Sequence, residues 1–107
     1  MDLFLELQQK IEDLYRAIRE FKAYGIDLAE KERDYKVTLA QTCLTLKAQG
    51  LAVGLIDKTC HGEGDVPDAR FDRDTAEVEY KAAQEMINAI KLQIKVIEGQ
   101  IAREYGR

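Results

Sequence analysis

An all-α fold, a long antiparallel helical hairpin, is what three features of this sequence predict. Apolar residues recur at alternating spacings of four and three along two long stretches, the period of a helix packed on a helix. A single proline in 107 residues leaves both stretches unbroken. Between them lies a short run with the punctuation that ends one helix and starts another.

The first stretch opens at Asp2, a side chain suited to capping a helix N-terminus. Its seam is Leu7, Ile11, Leu14, Ile18 and Phe21, widened by Leu3, Phe4, Ala17 and Tyr24. Gly25 takes the next rung, and Leu28, Tyr35, Leu39 and Leu46 continue in phase, with Glu32 and Thr42 as polar interruptions. This continuity favours one helix over about 2–49, because a lone glycine costs only ~1 kcal/mol inside a helix. A bend or a break at Gly25 stays open as the alternative, with Asp27 and Glu30 spaced as a weak capping box for a second helix. Gly50 suits a left-handed C-terminal cap.

Residues 51–59 are a compact apolar run, read as a short helical turn over about 53–60 that tucks Val53, Leu55 and Ile56 against the helix ends. His61 to Asp65 read as a loop. Asp65 then caps a second long helix over about 66–105, with Val66 and Pro67 in the first turn and Asp68 facing the positive end of the dipole. Its seam is Ala76, Tyr80, Ala83, Ile87, Ile90, Ile94, Ile97 and Ile101, without a miss. Val78, Met86, Leu92 and Val96 flank this ladder, so its apolar stripe is wider than one partner helix covers. The expected remedy is a homodimer in which two hairpins form a four-helix bundle.

Length and composition bound the rest. A chain of 107 residues, 46% hydrophobic and 34% charged, has room for a single helical domain over 1–107 with a modest core. No run is long and apolar enough for a membrane span, and the N-terminal residues are too charged for a secretory leader, so a cytoplasmic protein with no membrane contact is expected. Cys43 and Cys60 are then expected as free thiols. The net charge of −4 disfavours a nucleic-acid-coating role. The acidity is local: Glu63, Asp65, Asp68, Asp72, Asp74, Glu77 and Glu79 face only Arg70 and Arg73, a balance of −5 that leaves a net +1 elsewhere. This patch is a candidate partner-binding surface.

Assembled chemistry is hard to find in the sequence. His61 beside Cys60, with Cys43 far off on the first helix, lacks the paired spacing that presents two donors to zinc from one turn. As neighbours, Cys60 and His61 do not make a nucleophile and base pair. Asp65, Asp68 and Asp72 are weak candidates for a hard divalent cation, because a charged first turn explains them as well. The chain has no serine, which excludes a serine hydrolase, and no glycine-rich phosphate loop. No cofactor, catalytic residue or metal ligand is therefore assigned. The i, i+4 pairs Glu6–Lys10, Glu12–Arg16 and Asp27–Lys31 are expected as ordinary helix-face pairs.

The run LAEKERDYKVTLAQ, the VGLID segment and RFDRDTAEVEYKAAQEMINAIK resemble small, largely uncharacterised helical proteins of temperate phages and prophages of Gram-positive bacteria, over roughly residues 28–95. The resemblance implies a phage or prophage accessory product in the host cytoplasm and carries no catalytic motif with it. The expected function is non-enzymatic protein–protein interaction with a host or phage protein, perturbing a host enzyme or a defence system. The rival is a nucleic-acid accessory factor in phage replication or recombination, using the bases Lys10, Arg16, Arg19, Lys22, Lys31, Arg33 and Lys36. A divalent-metal-dependent enzyme at Asp65, Asp68 and Asp72 stands third.

Overall fold

The computed structural model describes residues 2–106, which form three helices: α1 (Leu3–Ala48), α2 (Val53–Cys60) and α3 (Val66–Tyr105). Among the described residues there is no strand, and no helix is long and apolar enough to cross a membrane. The fold is the helical hairpin that the sequence predicts.

Helix α1 begins where the Asp2 carboxylate accepts hydrogen bonds from the Phe4 and Leu5 amides at 2.9 and 3.3 Å, satisfying two of the donors a helix start leaves free. It runs on through Gly25, so the break weighed there does not form. Asp27 serves as a helix-face acid instead of a cap, 3.7 Å from Lys31. At the other end Gly50 adopts φ +88°, the Leu51 amide donates to the Leu46 carbonyl at 3.1 Å, and the Gly50 amide donates to Lys47 at 3.0 Å. These paired bonds are the Schellman closure, which requires a left-handed residue at Gly50. Gly54, by contrast, lies inside α2 with open space where a Cβ would project. Gly50→Ala should therefore destabilise the protein by about 1 kcal/mol, and Gly54→Ala should stabilise it by about 0.5–1 kcal/mol. Urea melts of the two variants should move in opposite directions.

The described contacts gather into two compact units. The first joins Met1–Tyr24 to Tyr80–Arg107. Here α1 and α3 run antiparallel: Phe4 meets Tyr105 at 5.5 Å between ring centroids, and Phe21 stacks on Tyr80 at 4.7 Å. Between these contacts Ala17, Ile87 and Ile90 are buried, with Leu14, Ile18, Phe21 and Ile94 packed around them. Leu7, Ala83 and Ile101 are half-buried, Ile97 is buried, and Ile11 is the seam residue left exposed. Ala17, small enough to let the helices approach, is better covered than the larger side chains beside it.

The second unit is Gly25–Glu79. Leu28, Tyr35 and Leu39 are half-buried, and Leu46 and Ala76 are buried. Arg73 lies over the Tyr35 ring at 4.5 Å and is held by Asp74 at 2.8 Å. The two largest fully buried side chains of the described chain, Val66 and Cys60, both lie in this unit. Both stand in the elements the sequence predicts for them. Val66 is a core residue as well as the first of α3, and Cys60 is buried at the end of α2. The expected docking of α2 through its aliphatic side chains is corrected, since Val53 is 77% exposed and Leu55 is 51% exposed. Only Ile56 is half-buried. A helix of eight residues presents a single narrow inward face, and its place in the fold decides which side chains fill it.

Candidate functional site

Two arrangements concentrate chemistry or contact area. The first is the outer side of the unit formed by residues 1–24 and 80–107. Met86, Leu92 and Val96 are 56%, 64% and 59% exposed. A groove of about 410 Å³ runs between Glu6 and Lys10 on α1 and Leu92, Val96 and Ile97 on α3. A second groove of about 350 Å³, reaching Arg16, Ala17 and Met86, shares Lys10 and Gln93 with it, so the two follow one another along the same side. Asp13 neutralises this wall, lying 3.9 Å from Lys10 and 3.7 Å from Arg16, in place of the Glu6–Lys10 and Glu12–Arg16 pairs that spacing suggested.

The α3 register explains the face. Ala82, Glu85, Ala89, Leu92, Val96 and Gly99 form a second ladder at spacings of three and four, opposite the buried one. All but Gly99 are exposed. The sequence named Val78, Met86, Leu92 and Val96 as flanking the isoleucine ladder, and all four are exposed.

The second arrangement lies in the unit of residues 25–79. Asp57, Cys60 and His61 stand at i, i+3 and i+4, on one side of the end of α2, and their donor atoms lie within 4.8 Å of one another. His61 Nε2 is 3.8 Å from an Asp57 carboxylate oxygen, and the Cys60 thiol lies 3.4 Å from the Asp57 carbonyl, to which it donates. The Cys43 thiol of α1 influences Cys60. That influence, then burial, then the negative charge available to Cys43 and Asp57, push the Cys60 thiol above its ordinary value of 9.0. Cys60 is therefore protonated at neutral pH and a poor nucleophile. Both cysteines are free. The missed signal was Asp57: counted with Cys60 and His61, it gives the same-face spacing that the sequence reading sought and did not find.

The acidic residues do not converge in this way. Among the described residues, no set of three ligand-type side chains other than Asp57, Cys60 and His61 brings its donor atoms so close, so Asp65, Asp68 and Asp72 stand apart as exposed side chains at the start of α3. Glu63 and Glu79 are likewise exposed and Glu77 is half-buried. Asp74 is engaged by Arg73 and lies 3.9 Å from Arg70. Its carboxylate raises the Arg73 pKa further. Comparison with protein-family models, with curated proteins and with solved structures finds no match to this chain.

Proposed function

We propose that this chain is a non-catalytic accessory protein that works by protein–protein contact, first with a second copy of itself and, as a dimer, with a host or phage protein whose activity it alters. The observation that carries this reading is the exposure of Met86, Leu92 and Val96, each more than half exposed beside two grooves that share Lys10 and Gln93. Large apolar side chains exposed to water are costly and gain when another apolar surface covers them. A second copy is the occupant of choice because it supplies the same ladder, and the small residues Ala82, Ala89 and Gly99 admit a close helix approach. Two hairpins joined this way make a four-helix bundle. The phage or prophage setting rests on the resemblance of residues 28–95.

Sedimentation of the purified chain at micromolar concentration should give a mass near twice 12.2 kDa. Leu92→Glu should return it to the single-chain mass while leaving the helical circular dichroism signal intact. A wild-type mass of one chain at every concentration would remove the proposal's support.

A further inference from the structure

We propose, resting on the self-association argued above, that two copies of this chain pair through the outer ladder of α3, antiparallel and in one register, with the two-fold axis at the level of Ile94. Outward from that level the ladder runs large, small, charged on both sides: Leu92 and Val96, then Ala89 and Gly99, then Glu85 and Arg103. The spacings on the two sides also agree, three and then four. Turning one helix end for end therefore lays the ladder on itself, which is what a two-fold interface requires.

In this register Leu92 meets Val96 of the partner subunit, twice by symmetry, and the centre of the contact is apolar on both sides. Ala89 faces the partner's Gly99, where side chains this small let the helix axes come close. Glu85 faces Arg103 of the partner subunit, so the ladder's two charges each meet the opposite sign. Both are exposed, and among the described residues no ion pair engages either one within its own chain. Arg103 is already turned the right way. Its Nη1 lies 3.6 Å from the point where a Cβ would stand on Gly99, so the guanidinium folds back along the ladder toward the axis.

Other arrangements lose this match. A parallel pair sets Glu85 beside Glu85 of the partner subunit and Arg103 beside the partner's Arg103, like charge against like. Sliding the antiparallel pair by one heptad keeps the ladders face to face, but sets Glu85 on the partner's Val96 in one direction and Arg103 on the partner's Leu92 in the other. A charge held against an aliphatic side chain loses water and gains no partner.

The test is sedimentation of the full chain at low salt, with charges reversed at the two ends of the ladder. Glu85→Lys and Arg103→Glu each place two like-charge pairs in the dimer and should raise its Kd roughly 10-fold. The chain carrying both substitutions recovers both opposite-charge pairs, and its Kd should return close to that of the wild type. Ala89→Cys mixed with Gly99→Cys under mild oxidation should yield a dimer linked between the two introduced cysteines, identified by mass spectrometry of the digest. A wild type of single-chain mass at every concentration would overturn the register together with the self-association beneath it. A wild-type dimer would overturn the register alone if both single reversals left Kd unchanged, if the combined chain bound no more tightly than either single reversal, or if each cysteine variant linked to its own kind.

Discussion

Val66→Asp should unfold the end of the hairpin that carries α2. Val66 is fully buried, and a carboxylate in its place would lose its water without gaining a partner. The expected cost is at least ~3 kcal/mol, comparable to the whole net stability that a small helical core supplies. Val66→Thr keeps the shape and adds one hydroxyl, so it should cost only about 1–2 kcal/mol. Urea melts followed by far-UV circular dichroism should rank wild type, Thr and Asp in that order. An Asp variant as stable as wild type would show that Val66 reaches water.

Ile90→Ala carries the second large effect. Ile90 belongs to the buried cluster with Ala17 and Ile87, so truncation removes buried methyl groups and leaves a gap that two helices close only in part. The loss should be about 2–4 kcal/mol, and it should be the same at low and high protein concentration. Leu92→Ala, two residues along but exposed, is the informative contrast. In the isolated chain it should change stability by no more than about 0.5 kcal/mol. Where the proposed dimer forms it should lower the melting temperature in a concentration-dependent way. Melting both variants over a hundredfold range of concentration separates the inner ladder from the outer one.

The contrast between these positions marks what was legible in the sequence. Ile90 and Leu92 are chemically alike, and only register separates them. A ladder as regular as that from Ala76 to Ile101 fixes its own inward face, because a period near 3.5 keeps one side of a helix turned to its neighbour. The helix bounds were legible for a similar local reason: Asp2 and Gly50 satisfy backbone groups within a turn of themselves. The continuity of α1 through Gly25 followed from the unbroken phase of the ladder on either side. The content of α2 was not legible. Val53, Leu55 and Cys60 are all apolar enough to be buried, and eight residues hold too little period to choose among them; the tertiary fold buries the thiol. The influence of Cys43 on Cys60 depends on how the chain folds back across the loop, which no spacing within either segment encodes.

The contact between Phe4 and Tyr105 has a consequence for engineering and for evolution. Backbone entering at one of these rings and leaving at the other passes through neighbouring points. Spliced into a surface turn of another protein, such an element would leave the host's flanking segments almost as close as before. Permuting the chain, by bridging these points with a few flexible residues and opening the connection around Gly62, should likewise keep every helix whole.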